Sequence, residues 1–332
     1  MLRYPSRSVW VTVILLFAGL AILPLFGDTY MTKLGMRMIV FAIFALSLDL
    51  LVGFTGLVSF GHAAFFGLAA YSLQMVSPED DAVNLMTALP LSLGITALAG
   101  LVIGIFVIRT RGIYFIMVTL AFAQMLYHLF HDTSIAGGSD GAYIWYKPSL
   151  RIGDTVLLDF DNRAVLYYSA LALLLGCFFL LTVILHSPFG KVLQGIRDNT
   201  ERMQALGFAT DRFKLAAFVI SATMAGLAGF LFACIDGYVS PGLLSWHESG
   251  TVLVMLILGG IGTLYGAILG AVALLGVEEV FRNRALLGPL VDHWQILLGC
   301  FVIIVVLFLQ NGLAGVRSLV ASALQKKREP DE

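Results

Sequence analysis

Long apolar stretches recur along the whole chain and are separated by short polar segments. A helix of roughly 20 apolar residues crosses a hydrocarbon core about 30 Å thick. Strands of a membrane barrel would be shorter and would alternate polar with apolar positions, which these stretches do not. The pattern therefore predicts an all-α integral membrane protein with about ten transmembrane helices, at 9–27, 35–52, 57–77, 85–108, 113–131, 164–186, 214–235, 249–262, 264–281 and 292–310.

The first apolar run follows Arg3 and Arg7 and superficially resembles a secretory signal peptide. It is too long for one and lacks a small-residue cleavage site, so we expect it to be retained as the first span. No low-complexity linker divides the chain. We therefore expect one transmembrane domain at 9–312, with a cytoplasmic loop at 187–213 and tails at 1–8 and 313–332.

Composition supports this class, because 59% of the residues are hydrophobic and only 12% are charged, against about 25% charged residues in soluble domains. The net charge of -1 gives no reason to expect a nucleic-acid partner. Ten spans place both termini on one side, and thirteen of the 20 Lys and Arg residues fall on that side. The positive-inside rule therefore predicts cytoplasmic termini. The acidic segment at 78–81 and a polar loop at 132–162 are predicted to lie outside. Arg282 and Arg284 also fall outside, against the rule.

Two glycine-rich segments lie in opposite halves of the chain, GFTGLVSFGHAAFFG at 53–67 and GGIGTLYGAILG at 259–270. Unwound backbone is tolerated at membrane depth only where protein or a water-filled cavity satisfies it. Close helix packing explains any single glycine better, but the two clusters together favour a transport path. Whether the flanking helices are full spans or half-spans stays open. The predicted path residues are Gly53, Thr55, Gly56, Ser59, Gly61, His62, Gln124, Gly259, Gly260, Gly262 and Thr263.

The stretch SPFGKVLQGIRDNTERMQALGF, at 187–208, is a polar island in this apolar chain. Ser187 and Pro188 are typical of a helix start, and Gly207 of a helix end. Charges of both signs on the polar face favour a protein partner over lipid headgroups. We therefore predict one amphipathic cytoplasmic helix, whose apolar stripe consists of Val192, Ile196, Met203 and Leu206.

The chain carries no evident energy source. Its only Gly-Lys pair, Gly190 with Lys191, lacks the other residues of a phosphate-binding loop. Ionisable residues in the predicted spans are sparse: Asp49 is expected to reach water or to cap the following turn, and Gln124 with His128 to line a cavity or to bond between helices. We therefore predict an ABC-type permease driven by a separate ATPase. A self-contained ion-coupled carrier is the alternative.

Enzymatic activity is not expected. The sequence contains no Ser/His/Asp set, no HExxH motif and no cluster of carboxylates that points to catalysis. The three cysteines are isolated in apolar runs, which favours small buried side chains over a disulfide or a metal site.

Several motifs resemble one family, the LivM-type permeases of branched-chain amino acid ABC importers within the LivH/LivM permease family. They are GFTGLVSFGHAAFFGLAAYS, GGSDGA, RDNTERMQALGF, KLAAFVISATMAGLAGFLFA and ILGGIGTLYGAILGA, in a resemblance that covers 35–312. The resemblance implies a multi-pass subunit of a bacterial or archaeal cytoplasmic (inner) membrane. It implies a second permease subunit of LivH type, two cytoplasmic ATPases that use ATP, and an extracytoplasmic solute-binding protein. This chain would hold no cofactor. Leucine, isoleucine and valine are the implied substrates, although similar permeases carry urea or other small organic solutes.

The coupling pattern of ABC importers, E-A-A-x-x-x-G, matches Glu201 and Gly207 in spacing. Arg202 and Met203 replace its alanines, and its distal I-x-L-P is missing. The resemblance implies that the helix at 191–208 docks into a cleft on an ATPase. The residues given this role are Lys191, Arg197, Asp198, Asn199, Glu201, Arg202, Leu206, Gly207 and Phe208.

Overall fold

A computed structural model describes residues 7–26, 28–152, 155–284, 288–309 and 312–315 of the chain. The prediction of cytoplasmic tails falls largely outside these residues. The helices that build the fold are α1 (Arg7–Phe26), α2 (Thr29–Thr55), α3 (His62–Val76), α4 (Leu85–Val107), α5 (Ile113–Asp132), α6 (Arg163–His186), α7 (Pro188–Asp198), α8 (Thr200–Ala205), α9 (Thr210–Asp236), α10 (Trp246–Gly259), α11 (Leu264–Arg282) and α12 (Trp294–Phe308). The strands are β1 (Ala142–Tyr143), β2 (Ser149–Ile152), β3 (Thr155–Asp159) and β4 (Tyr238–Val239).

Most of the predicted spans correspond to helices of the expected length. Within the described residues, seven helical stretches are long and apolar enough to cross a membrane: α2, α4, α5, α6, α9, α11 and the stretch that contains α12. The apolar part of α1, Trp10–Leu25, is shorter. Helix α2 begins six residues earlier and ends three residues later than the predicted span at 35–52. Its 27 residues reach about 40 Å at 1.5 Å per residue.

Two predicted spans are wrong in their bounds. The span predicted at 57–77 becomes a helix only at His62, and α3 has 15 residues; the span predicted at 249–262 ends at Gly259, and α10 has 14 residues. At 1.5 Å per residue these helices reach only about 21–22 Å, less than the hydrocarbon thickness of roughly 30 Å. The prediction of ten full spans is therefore not confirmed. The non-helical residues at 56–61 form break 1, and those at 260–263 form break 2.

Helices α2 and α9 form the centre of the molecule. All of the apolar window of α2 and 83% of that of α9 are buried inside the chain, against 33% or less for α4, α5, α6 and α11. The outer helices leave large apolar side chains exposed, among them Leu98, Phe106 and Phe179. Exposed apolar side chains on long helices suit contact with lipid. The central pair is therefore shielded from the bilayer by its neighbours.

Small residues bring the helices around α9 into close contact. A Cβ atom added at Gly100 of α4 would lie 2.7 Å from Cβ of Ala222 on α9, and one added at Gly229 of α9 would lie 2.6 Å from the carbonyl carbon of Phe66 on α3. Since lipid tails are as apolar as leucine, helix association in membranes depends on such van der Waals contact. Glycine therefore serves packing at these two positions.

The predicted polar loop at 132–162 contains short strands, so the fold is not entirely helical. Strands β2 and β3 form an antiparallel hairpin, and β1 pairs with β4. Arg151 of β2 donates two hydrogen bonds of 3.0 Å to the carboxylate of Asp81. This bidentate bond lowers the pKa of Asp81, so the contact is present above the ordinary pKa of an aspartate and is lost as the pH falls through the lowered value.

The helices have two ends, called here the hairpin end and the α7 end. Helix α2 starts at the hairpin end, where Arg163 Nη1 donates to Thr29 Oγ1 at 3.1 Å. It finishes at the α7 end, where Arg197 of α7 donates to the carbonyl of Gly53.

Gly229→Ala should destabilise the protein, whereas Gly176→Ala should not. Both glycines are helical, so both variants gain the same helix propensity, but a Cβ at Gly176 of α6 meets nothing within 4 Å. Overpacking against backbone costs roughly 1–3 kcal/mol. Thermal unfolding of the purified variants measures the difference, and equal midpoints would show that α3 and α9 are not held at this contact.

Candidate coupling segment and translocation path

The polar island folds as two helices, not as the single helix predicted for it. Ser187 and Pro188 start α7 as expected, with Ser187 Oγ accepting from the N–H of Gly190 at 3.5 Å. The helix stops at Asp198 because Asn199 adopts an extended backbone. Its side chain accepts from the N–H of Arg202 at 2.8 Å and so caps α8. The sequence predicts one helix because Asn199 lies among helix-forming residues, where an asparagine is not recognisable as a cap.

The buried face of the island also differs from the predicted apolar stripe. Gly190, Leu193 and Ile196 of α7 are buried, whereas Leu206 is 66% exposed. Gly207 follows α8 with φ of +88°, and the N–H of Phe208 donates back to the carbonyl of Met203 at 3.1 Å. This αL turn agrees with the predicted helix end at Gly207. Helix α7 is therefore anchored to the body, and residues 201–209 project from it, with Met203 half-buried.

The predicted coupling residues divide into two groups. Lys191, Asp198, Asn199, Glu201, Arg202, Leu206, Gly207 and Phe208 are exposed. Arg197 is also largely exposed, but its guanidinium turns towards the membrane helices and donates to the carbonyl of Gly53. Arg197 therefore contacts the predicted path rather than pointing only to solvent.

Arg197, Asp49 and both breaks meet at one point, which we call the Asp49–Arg197 junction (Asp49, Gly53, Arg197 and Gly262). Asp49 Oδ1 accepts from the N–H of Gly262 at 2.8 Å. Gly262 has φ of +80° and lies so close to Gly53 that a Cβ atom on Gly53 would be 2.7 Å from Gly262 Cα. The two glycine clusters, far apart in sequence, are thus in direct contact at the α7 end.

Asp49 does not have the surroundings expected from the sequence. It is fully buried, so it does not reach water, and it caps break 2 rather than the turn after its own helix. Its second carboxylate oxygen has no hydrogen-bond partner among the described residues. A buried ionisable group inside a membrane helix is costly and marks a functional position. The sequence did not identify the bond to Gly262, which joins positions 213 residues apart.

His62 lies at the start of α3, fully buried within the bundle. Its Nε2 is 3.0 Å from Ser47 Oγ and 3.1 Å from Ser221 Oγ. Each hydroxyl can also donate to a backbone carbonyl, that of Ser47 to Phe44 and that of Ser221 to Ser47. In that arrangement, Nε2 of a neutral imidazole donates to the hydroxyls and Nδ1 is an acceptor. Nδ1 has no partner among the described residues.

Side chains from other helices satisfy the backbone where break 1 meets α3. Thr119 Oγ1 of α5 accepts from the N–H of Phe60 at 3.3 Å, and Ser249 Oγ of α10 accepts from the N–H of Ala63 at 2.8 Å. The N–H of Ala63 is one of the unsatisfied amides at the start of α3, and that of Phe60 belongs to break 1. The sequence predicted the break but not Ser47, Thr119, Ser221 and Ser249, because single hydroxyls in apolar runs resemble ordinary helix residues.

Other predicted path residues lie near the breaks or in packing contacts. Gly56 ends α2 with φ of +75° and Gly260 follows α10 with φ of +114°, so both positions require glycine. The remaining residues close to the breaks are Thr55, Ser59, Gly61, Gly259 and Thr263. A Cβ atom on Gly61 would lie 2.8 Å from the carbonyl carbon of Thr119, and one on Gly259 would lie 2.6 Å from that of Gly266. The roles of these residues in transport stay predictions.

Gln124 and His128 are not brought to the junction or to His62. Gln124 is half-buried on α5. His128 is exposed and pairs with Asp132 of its own helix at 3.1 Å, so the expected bond from His128 to another helix is not observed. Within the described ranges, no three His, Cys, Asp or Glu side chains are grouped so that they could hold a metal ion.

Long apolar helices around two backbone breaks define a multi-pass membrane protein of transport type. The chain belongs to the family of branched-chain amino acid transport system permease components, which matches residues 30–307. It is 32% identical to the high-affinity branched-chain amino acid transport system permease protein LivM of Salmonella typhimurium, over 82% of this chain and 67% of the relative. LivM of Escherichia coli is 31% identical over the same shares.

Shorter similarities extend to other permeases. The autoinducer 2 import system permease protein LsrC of Photorhabdus laumondii is 30% identical over 40% of each chain. The permease protein LivH of the Salmonella typhimurium branched-chain system is 30% identical over 40% of this chain and 41% of the relative. No solved structure matches the chain significantly. The resemblance to LivM-type permeases is confirmed.

Asp49→Leu should lower stability more than Asp49→Asn. Leucine removes the acceptor and leaves the N–H of Gly262 unpaired, which costs roughly 1–3 kcal/mol, whereas asparagine keeps an oxygen in place. Thermal unfolding of both variants in detergent measures the difference. Equal losses in the two variants would mean that the bond to Gly262 does not stabilise the junction.

Proposed function

We propose that this chain is one of two permease subunits in an ABC importer for leucine, isoleucine and valine. The second permease is of LivH type, two cytoplasmic ATPases supply the energy, and an extracytoplasmic binding protein delivers the substrate. Membership of the permease family and the similarity to two LivM proteins support the proposal. The membrane is the cytoplasmic membrane of a bacterium or archaeon, and both termini face the cytoplasm.

Orientation follows from charge. The α7 end carries Arg109, Arg111, Arg202 and Arg212 in exposed positions. Together with the two tails, its side of the membrane holds thirteen of the 20 Lys and Arg residues, and such an excess is typical of the cytoplasmic side. The hairpin end, with the acidic segment at 78–81, then faces outwards. The segment at 199–209 is therefore available to a cytoplasmic ATPase.

Residues 199–209 have the composition of a docking surface. Leu206 and Phe208 are 66% and 39% exposed, and the charged Glu201 and Arg202 lie beside them. An apolar centre with a polar rim is the usual arrangement of a protein interface. Charges of opposite sign on that rim select a partner with the complementary pattern.

The contact between Arg197 and Gly53 is the observation that carries the proposal. Asp49 extends the same junction to Gly262 of break 2. A displacement of α7 by an ATPase would therefore change the hydrogen bonding of the last turn of α2, which leads into break 1, and would disturb the adjoining contact with break 2. The breaks are where the helices can bend, because their backbone is not held by regular helical bonds.

The proposed substrate follows from the LivM relatives. The similarity to LsrC supports a different solute as the alternative. LsrC is the permease protein of an autoinducer 2 import system, so permeases with related sequence serve unlike molecules. Urea or another small organic solute is therefore the alternative substrate for this chain. Uptake assays with competing solutes separate these cases.

A self-contained ion-coupled carrier is the second candidate function, and Asp49 is the observation that favours it. Its buried carboxylate has one oxygen without a partner among the described residues, as an ion-binding or proton-binding group would need. The exposed α7–α8 segment has no role in such a carrier. For that reason the ABC permease is the better supported function.

Leu206→Asp should abolish docking without unfolding the chain. The side chain is largely exposed, so the substitution costs little stability, but it places a charge at the apolar centre of the proposed interface. Co-purification with the ATPases should fall at least about tenfold, which corresponds to roughly 1.4 kcal/mol. Leu157→Asp is the control, since Leu157 is 58% exposed and lies on β3 at the other end. Unchanged co-purification of Leu206→Asp would contradict docking at this surface.

Arg197→Gln should separate ATP hydrolysis from transport. In proteoliposomes with the complete importer, hydrolysis should persist while uptake per ATP falls severalfold, because the guanidinium link to Gly53 is lost. Arg109→Gln, an exposed residue at the same end, should leave both rates unchanged. Equal uptake per ATP in Arg197→Gln and the native protein would rule out this link. Accumulation driven by an ion gradient, in proteoliposomes of the chain alone, would instead support the carrier.

A further inference from the structure

A cavity of about 440 Å³ opens at the hairpin end between α2, α9 and α11. Ligand pockets commonly have volumes of about 300–1,000 Å³. Under the proposed orientation it faces the extracytoplasmic side, where an importer receives its substrate. Charged side chains of both signs line it, which is unusual so close to the apolar part of a membrane protein.

The wall formed by α2 and α9 carries an excess of positive charge. Lys33 Nζ and Arg37 Nη2 lie 3.2 Å and 3.6 Å from the two carboxylate oxygens of Asp236. Two basic side chains and one acidic side chain give this wall a net charge of +1. The side chains of Lys33 and Arg37 are 53% and 45% exposed. Each therefore has further N–H donors for a ligand beyond the contact with Asp236.

The wall formed by α11 carries an excess of negative charge. Arg282 Nη2 lies 2.6 Å from Glu278 Oε1, and Glu279 Oε2 accepts from the hydroxyl of Tyr30 on α2 at 2.6 Å. Two acidic side chains and one basic side chain give this wall a net charge of -1. Arg282 is held over the ring of Trp294, 4.2 Å from its centroid. The oxygens of the two glutamates that are not used in these bonds can accept from an ammonium group.

The cavity is thus dipolar but has no net charge from these six side chains. A ligand with a single charge would interact favourably with one wall and unfavourably with the other. A zwitterion satisfies both walls at once. Leu34 and Leu275 also line the cavity, so an aliphatic side chain finds apolar contact there.

We infer that this cavity binds a neutral amino acid with an aliphatic side chain, its carboxylate towards Lys33 and Arg37 and its ammonium towards Glu278 and Glu279. The inference rests on the proposed function for its place at the entrance of an import path. It adds a site on the permease itself, separate from the junction at the α7 end. It also accounts for Arg282 and for Lys33 and Arg37, which are basic residues on the outer side.

The test is equilibrium binding to the full chain in lipid nanodiscs, without ATPases or binding protein. The probes are L-leucine, leucinamide, which lacks the carboxylate, and 4-methylpentanoate, which lacks the ammonium. L-Leucine should bind at least about tenfold more tightly than either analogue, since each analogue leaves one wall unmatched. Equal binding of the three probes, or no binding up to about 10 mM by a folded chain, a limit set by the weakest affinities such titrations resolve, would overturn the inference.

Two variants distinguish a binding site from ion pairs that merely hold helix ends together. Glu278→Gln should reduce the preference for L-leucine over 4-methylpentanoate, because a partner of the ammonium group is lost. Arg37→Gln should reduce the preference for L-leucine over leucinamide, because a partner of the carboxylate is lost. Arg37→Lys should keep the second preference, which shows that an effect of Arg37→Gln is not a folding defect. Arg163→Gln is the control, because Arg163 is exposed at the same end but does not line the cavity. Unchanged preferences in both charge variants would leave only a structural role and overturn the inference.

Failure of the cavity site and failure of the proposed function give different results. Absent binding together with ATP-driven uptake by the complete importer would reject the cavity and leave the permease role intact. Binding with the expected preferences but no ATP-driven uptake would reject the ABC assignment and keep the cavity.

Discussion

Backbone groups that leave a helix inside a bilayer need partners within the protein, since no water is present to bond them. At the α7 end, Asp49 accepts from the N–H of Gly262 and Arg197 donates to the carbonyl of Gly53. One acceptor and one donor, supplied by side chains, therefore stabilise the contact between the last turn of α2 and break 2. Because the acceptor is in the membrane and the donor is on α7, the fold at this point depends on both segments keeping their relative position.

Helix α2 carries polar groups at two depths. Lys33 and Arg37 lie in the cavity at its start, whereas Ser47, which contacts His62, and Asp49 of the junction lie about 3 Å apart along its second half. At 1.5 Å per residue, Arg37 and Ser47 are separated by about 15 Å along α2. The apolar window of α2 is fully buried inside the chain, so Ser47 and Asp49 are shielded from lipid. A line of polar positions along a central helix is what a solute path through this chain would require.

Much of the helical framework could be predicted from the sequence, and the reason is physical. A helix that crosses lipid must be apolar over its whole length, so α4, α5 and α6 begin and end where the apolar runs do. The breaks were also predictable, because Gly56, Gly260 and Gly262 adopt a backbone that favours glycine. The bounds of the breaks could not be predicted. Gly53 is helical, and a glycine in the sequence does not show whether it allows a close contact or ends a helix. Asn199 was missed for a related reason: its extended backbone depends on the cap it makes, which composition does not reveal.

Contacts between distant residues could not be predicted, since Arg197 and Gly53 are 144 positions apart and neither belongs to a repeating pattern. One local signal did exist for the cavity. Under the proposed orientation Arg282 lies on the outer side, where basic residues are disfavoured, so its charge needs a compensating partner there. The structure supplies Glu278 at 2.6 Å and the ring of Trp294. Exceptions to the charge rule, rather than the glycines, are therefore the positions from which a binding site in this chain could be sought by sequence alone.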